Sequence, residues 1–419
     1  MNWKKEKLAM NKIVNRFIKV FPWYSGLTSG LLFYIAIDTL FLTIVKEFSA
    51  AQIVSVVSFA QFACIALQFP ALFIIKRIGN TASTRVGAIC MLLSAVLTTI
   101  GKSYYIILIA RVFHDISAVF KTASFVALEN NLDLIDKRGE FVRVRASANT
   151  VYSVITMLIS FVASYMFNLN HYLPMIGCIT TCALGVILSF LMKDCSAYNK
   201  ITNKKENKEK VKVKYTKFII MAIVVYSLYY PIVNNGQSDG KLFIQQQVLL
   251  DFNVENTALI IGAIVCVSRI IRVLSNVAFA KIYCKYEEKL GIAFPIMLSG
   301  SIALILFGSF IPQVLVKIIL MGIGYAVILF ARDPFNLYMQ DVILANTPKE
   351  QHQTLLAMLQ FGVKITTAGL GLCFSAVLIA YPMIVVMALM LAISTIDIAL
   401  GIKLYKMVLI EKCNHEIKL

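Results

Sequence analysis

The chain is cut into apolar runs of membrane-crossing length by short polar gaps, and few folds tolerate that pattern. A helix needs about 20 predominantly apolar residues to cross the hydrocarbon core. Reading the runs in order predicts six helices over 20–46, 51–75, 83–101, 104–130, 141–167 and 172–192. Six more are predicted over 217–249, 255–283, 290–311, 313–343, 352–379 and 382–409. Apolar residues make up 59 % of the chain and charged residues 15 %. A soluble domain with that balance would expose large apolar patches, whereas lipid tails accept such a surface. The 419 residues leave no length for a sizeable soluble domain. The predicted fold class is therefore an all-α membrane protein: twelve transmembrane helices in two pseudo-symmetric six-helix bundles, 1–192 and 217–419, joined by a basic cytoplasmic linker over 193–216.

The net charge of +18 would suit a nucleic-acid partner if it were gathered on one face. It is instead concentrated in the gaps between runs, and mainly in alternate gaps, as the positive-inside rule expects. With the N-terminus inside, the inner gaps hold Lys76, Arg77 and Arg85; Lys137, Arg138, Arg143 and Arg145; and Lys281, Lys285 and Lys289. The outer gaps are charge-poor. This reading puts both termini in the cytoplasm, the protein in the plasma membrane, and anionic lipid rather than nucleic acid against its basic face. Lys4, Lys5, Lys7, Lys12, Arg16 and Lys19 precede the first run, which continues to about Val45 and is read as a permanent span. A signal peptide would have a short apolar core and a small-residue cleavage site. The Lys193–Lys217 segment is too charged to bury a core and is read as a linker. Nine cysteines without a Cys-x-x-Cys pair, and four scattered histidines, suggest neither a disulfide framework nor a metal site. No cofactor and no enzymatic activity are expected, since HExxH, GxSxG and clustered His/Asp sets are missing. A monomer is expected.

The two halves repeat one another. At one constant offset Glu47 aligns with Asp251, Phe48 with Phe252, Arg77 with Lys281, Arg85 with Lys289 and Gly87 with Gly291. At a second offset Lys121 aligns with Arg332, Arg138 with Lys349 and Ala146 with Ala357. Matched charges fall at matched depths, which is the signature of internal duplication in transporters.

Two local motifs carry a resemblance to a known family. Leu72-Phe73-Ile74-Ile75-Lys76-Arg77-Ile78-Gly79-Asn80 lies between the second and third runs, and Arg111 is followed later by Lys137-Arg138-Gly139. With six helices, a basic central loop and six more helices, the chain resembles the major facilitator superfamily over almost its whole length. The family's loop usually reads Gly-x-x-x-Asp-Arg-x-Gly-Arg. Arg77 and Gly79 match it, while Lys76 reverses the charge of its aspartate. The glycine-proline motif of proton-driven drug exporters is replaced by Asn149-Thr150-Val151-Tyr152-Ser153. The resemblance implies that helices 1, 4, 7 and 10 line a central cavity, flanked by 2, 5, 8 and 11. It also implies a gating role for Arg77, Arg138 and Lys281.

Charges inside the runs cost at least a few kcal/mol each unless they face water or a partner. The acids are Asp38, Asp115, Asp239, Asp333 and Asp397; the bases are Arg111, Lys121, Lys241, Arg269, Arg272, Arg332 and Lys364. All except Asp397 fall on the helices implied to border the cavity. Candidate solute-binding residues are Asp38, Arg111, Lys121, Asn235, Lys241, Arg269, Arg272, Arg332 and Lys364. Asp38 and Asp115 are the candidate proton-coupling carboxylates. Arg269 and Arg272 share a helical face and are expected to hold an anion or to close ion pairs. Pro231, Asn234, Asn235, Gly236, Ser238 and Gly240 predict a broken seventh helix.

Seven bases against five acids favour a small anionic or zwitterionic solute, moved by alternating access as a secondary transporter and coupled to protons in a weaker extension. The alternatives are an exporter of amphipathic or drug-like compounds, using 27 Phe, 18 Tyr and 16 Met, and a non-transporting membrane receptor. Arg269→Ala or Arg332→Ala is expected to abolish solute flux into proteoliposomes while leaving the solubilised protein folded; wild-type flux would remove that residue from the site.

Overall fold

The fold follows from a computed structural model that describes residues 2–195, 217–345, 347 and 352–416. The side chains of 2–10, 139, 142, 280–282, 284, 286–288, 344, 345, 352–354, 356, 357 and 409–416 lie outside that description. The linker from 196 to 216 and the side chains of Lys281, Cys284, His352, Cys413 and His415 are therefore not placed.

Among the described residues every regular element is helical. They are α1 (Asn2–Leu27), α2 (Tyr34–Leu40) with a π-helical turn over Phe41–Val45, α3 (Ala50–Ile100), α4 (Tyr104–Leu134), α5 (Phe141–Leu169) and α6 (Leu173–Leu191). After the linker come α7 (Lys217–Leu249), α8 (Val254–Gly308), α9 (Val314–Ala345), α10 (His352–Ala380) and α11 (Met383–Glu416). The predicted twelve spans map onto these. The first is built from α1, α2 and the turn, and α3 and α8 each contain two. Nine helical segments of the described residues are long and apolar enough to cross a membrane, among them Val254–Phe279 and Lys289–Gly308 within α8. The two arms of α3 meet at Gly79, whose φ of +82° is a conformation that side chains rarely adopt.

Local chemistry sets the ends. Ser49 and Gln52 cap one another reciprocally at the start of α3: the Ser49 N–H donates to Gln52 Oε1 at 2.9 Å and the Gln52 N–H to Ser49 Oγ at 3.3 Å. At the matching position of the repeat, Asn253 Oδ1 caps α8 by accepting from the Asn256 N–H at 2.9 Å. The repeat is thus visible in the caps as well as in the charges. Gly87 and Gly291, matched across the halves, both mark close approaches. A Cβ on Gly87 would lie 3.1 Å from Phe120 on α4, and one on Gly291 would lie 2.7 Å from the Tyr338 hydroxyl on α9.

The broken helix is not where sequence placed it. α7 runs without interruption from Lys217 to Leu249 despite Pro231 and its glycines. Ser238 Oγ bonds to the carbonyls of Asn234 and Asn235, and Gly236 lets Ile328 of α9 approach to 3.1 Å of its missing Cβ. The small and polar residues therefore serve packing and local hydrogen bonding. The break lies instead in the first span, between Leu27 and Tyr34. There Thr28 Oγ1 takes the carbonyl of Tyr24 at 2.7 Å, and Ser29 Oγ takes that of Ser25 at 2.5 Å. Side chains that bond backbone carbonyls in this way compete with the helical ladder.

By contacts the chain forms two compact units, Met1–Asp38 with Phe59–Lys208, and Thr39–Ser58 with Glu209–Leu419. The first has an aromatic core in which Phe17, Phe21, Tyr24, Leu128 and Leu132 are buried. The segment Thr39–Ser58 is held in the second unit: Gln245 Nε2 donates to Thr43 Oγ1 at 2.8 Å, and Ser375 Oγ donates to the Ala51 carbonyl at 2.9 Å.

The start of the linker is pinned to the first unit by amides. Asn131, fully buried, donates to the Lys193 carbonyl at 3.0 Å and accepts from the Cys195 N–H at 2.9 Å. Asp194 accepts from Asn80 at 2.6 Å and from Asn130 at 3.2 Å, while its N–H donates to Thr81 at 2.9 Å. Asn131→Ala leaves two backbone groups without partners and is expected to lower stability by about 2 kcal/mol, read as a lower melting temperature in detergent; Asn131→Asp, which keeps the acceptor for Cys195 but turns a second acceptor toward the Lys193 carbonyl and buries a carboxylate, should lose at least as much.

Candidate functional site

In the first unit the intramembrane charges lie where α2 faces α4. Arg111 Nε is 3.5 Å from Asp115 Oδ1, one helical turn on, and His114 Nδ1 is 2.9 Å from the same oxygen. Tyr34 lies within electrostatic range of both Asp38 and Arg111. Asp38, Arg111, His114, Asp115 and Tyr34 thus form one polar cluster, joining one candidate base, Arg111, with two candidate acids, Asp38 and Asp115. Lys121 stands apart from it. Its Nζ donates at 2.7 Å to the Ser25 carbonyl and at 2.7 Å to Ser29 Oγ, so its ammonium sits at the end of α1 where the helix breaks. A cation is favoured at a helix C-terminus by the unsatisfied carbonyls there.

The second unit separates the adjacent charges of Arg332 and Asp333. Asp333 turns to α8, where Arg272 grips it with two bonds of 2.6 and 2.9 Å and Asn276 adds a third at 3.2 Å. Arg332 turns to α7, donating to Gln237 Oε1 at 2.5 Å with its guanidinium 6.0 Å from the centre of the Tyr230 ring. Tyr230 stacks on Tyr226 with ring centres 5.4 Å apart. The Tyr226 hydroxyl donates to Asn336 Oδ1 at 2.6 Å and accepts from Gln360 Nε2 at 3.2 Å, and Gln340 donates to Asn336 at 3.0 Å. An arginine, two stacked phenols and four amides from α7, α9 and α10 form this polar centre. On α7 itself, Asn235 and Asp239 are one turn apart and 5 % exposed. Asn235 Nδ2 and Asp239 Oδ2 have no hydrogen-bond partner among the described residues. A buried donor and acceptor on one helical face call for a ligand or water.

The other candidates differ in burial. Arg269 and Lys241 are buried at 5 % exposure and Lys364 is half-buried. Arg77 is exposed. Arg138 is exposed and bonds Glu129 at 2.7 Å, within its own unit. Asp397, on α11, is buried at 1 % exposure and lies within electrostatic range of Tyr229. Reading only charges missed Gln237, Asn336, Gln340 and Gln360. Their signal was present, since an amide in an apolar run faces the same hydrogen-bonding demand as a charge at lower cost.

A family model described as Major Facilitator Superfamily matches residues 23–366. The chain belongs to that superfamily. The solved structure of the nucleoside transporter NupG superposes with a TM-score of 0.71 at 12 % identity, covering 94 % of this chain and 98 % of its own. A D-xylose-proton symporter gives 0.63 at 12 % identity, covering 94 % and 97 %. A bacterial homologue of the iron transporter ferroportin, in its inward-facing state, gives 0.62 at 11 % identity, covering 94 % and 98 %. Among curated proteins none matches the chain in sequence. At these identities the likeness shows the twelve-helix fold alone.

The Arg272–Asp333 pair, about a quarter exposed on each side chain, ties α8 to α9. Asp333→Ala would strand the guanidinium in a largely desolvated place and is expected to cost about 2 kcal/mol in thermal unfolding; Arg272→Met combined with Asp333→Leu should recover most of it.

Proposed function

We propose that the chain is a secondary active transporter that moves a small polar solute by alternating access. Its recognition centre is the Arg332–Gln237–Tyr230 group with the neighbouring Tyr226–Asn336–Gln360 network. The observation that carries this reading is a guanidinium held by an amide above a tyrosine ring inside the membrane region. A guanidinium offers a rigid two-pronged donor that fits a carboxylate or phosphate. An anionic or zwitterionic solute with a planar or ring face would satisfy the arginine, the amides and the phenols together. Asn235 and Asp239 supply a further donor and acceptor on α7. Asp38 and Asp115 are the proposed proton-coupling carboxylates; Asp115 contacts Arg111 and His114, and Asp38 lies within electrostatic range of Tyr34. Basic inner gaps support a plasma-membrane location with both termini in the cytoplasm. Arg77, Arg138 and Lys281 remain the proposed gating residues.

A second reading is an uncharged, hydroxyl-rich ring solute. It is favoured by the stacked phenols and by the neutral amides, which outnumber the charges in the centre. The nucleoside and xylose transporters of the same fold agree with it.

Counterflow in proteoliposomes separates the two. If the solute is anionic, Arg332→Lys should lower kcat/KM about tenfold, equivalent to roughly 1.4 kcal/mol of lost bidentate contact. Gln237→Ala should then raise KM, and carboxylate or phosphate compounds should compete. Competition by nucleosides or sugars alone, with Arg332→Lys near wild type, would support the uncharged solute. Binding without counterflow of any solute would overturn transport in favour of a receptor.

A further inference from the structure

Two cavities adjoin in the second unit, one between α9 and both arms of α8 and the other between α9 and the Val254–Phe279 arm. One, of about 270 Å³, is bounded by Phe279, Phe294, Phe330, Pro334 and Lys289. The other, of about 380 Å³, is bounded by Val267, Ile271, Gly322, Ile323 and Phe330. Phe330 borders both, so the two adjoin at its ring and together make a groove that the ring interrupts. Its α8 wall is Ile264, Val267, Ile271, Ser275 and Phe279, spaced as a single helical face. At 1.5 Å per residue that wall is about 22 Å long, more than the roughly 15 Å of one hydrocarbon leaflet.

The chemistry of the groove changes along its length. The Val267 end is lined by apolar residues alone. At the other end the polar lining residues are Ser275 and Lys289. Lys289 is exposed, and the exposed Lys285 lies one turn before it on the same helical face. Val267, Ile319 and Ile323, on the groove's rim and wall, are about half exposed, so its apolar side opens outward. A long carbon-lined slot with cations at one mouth matches an amphipath with an apolar tail and a negative head.

We propose that this groove holds one acyl chain of an anionic phospholipid, whose phosphate meets Lys289. The charge bias of the loops puts that mouth in the leaflet where anionic lipids are found. A soluble solute has no use for so much apolar wall, and a neutral lipid has none for the lysine. The seat also touches the core of the unit. Ser275 lies one turn beyond Arg272, and Pro334 follows Asp333, so a seated chain packs beside the Arg272–Asp333 pair and braces α8 against α9.

Native mass spectrometry of the full chain, released from nanodiscs of phosphatidylcholine with phosphatidylglycerol, tests this. The wild type should retain phosphatidylglycerol in preference. Lys289→Ala should reduce that retention about fivefold, the effect of one basic residue near an anionic headgroup, and Lys289→Arg should restore it. Val267→Trp, at an exposed wall position, should block the groove and reduce retention with Lys289 intact. Both variants should melt like wild type in phosphatidylcholine alone; a variant that melts lower is replaced by Ile323→Trp or Lys289→Gln for the same reading. Equal retention of the two lipids by wild type, unchanged retention in Lys289→Ala, or a groove filled by a transported amphipath regardless of headgroup charge would each overturn the proposal.

Discussion

Hydrocarbon offers no hydrogen-bond partners, and the rest of this structure is arranged around that constraint. It makes every regular element of the described residues a helix, because a helix satisfies its backbone internally. It also forces each polar side chain in a span to find a partner within the protein or to face water. Lys121 meets a backbone carbonyl left over by the break in the first span, Arg272 meets Asp333, and Lys317 meets Asp251 at 2.6 Å. These three bases look alike in sequence to a solute-binding base. Each contact ties one element of its unit to another.

The neutral groups around a base are a further guide to its surroundings beside the surplus of positive charge. Arg332 is held by a neutral amide and an aromatic face, next to a chain of phenol and amide hydrogen bonds. Such a centre recognises through direction and shape as much as through charge. The fold is shared with proteins named for nucleosides, xylose and iron, so the fold does not choose the solute.

Much of this architecture was legible beforehand. Apart from the first, where helix already begins at Asn2, the helices start close to their predicted bounds because a run of apolar residues in lipid has one stable outcome. The duplication reappears in the paired caps at Ser49 and Asn253 and in the paired contacts at Gly87 and Gly291. The seventh helix shows where such reading stops. Its proline and glycines promise a break, yet Ile328 packs against Gly236 and Ser238 bonds the nearby carbonyls. The break appears at Thr28 and Ser29, where serine and threonine are common enough in membrane helices to give no warning. Lys121 reaches there from a helix distant in sequence.

Sequence alone determined that this chain spans a membrane, how many times, and which residues carry charge into the spans, because those follow from length, hydropathy and the cost of burying a charge. Only the tertiary structure decided which charge pairs with which, that Arg332 and Asp333 turn to different helices, and that amides rather than further charges complete the polar centre. Those choices depend on the relative rotation and spacing of packed helices, and a linear pattern of residues does not encode distances between them.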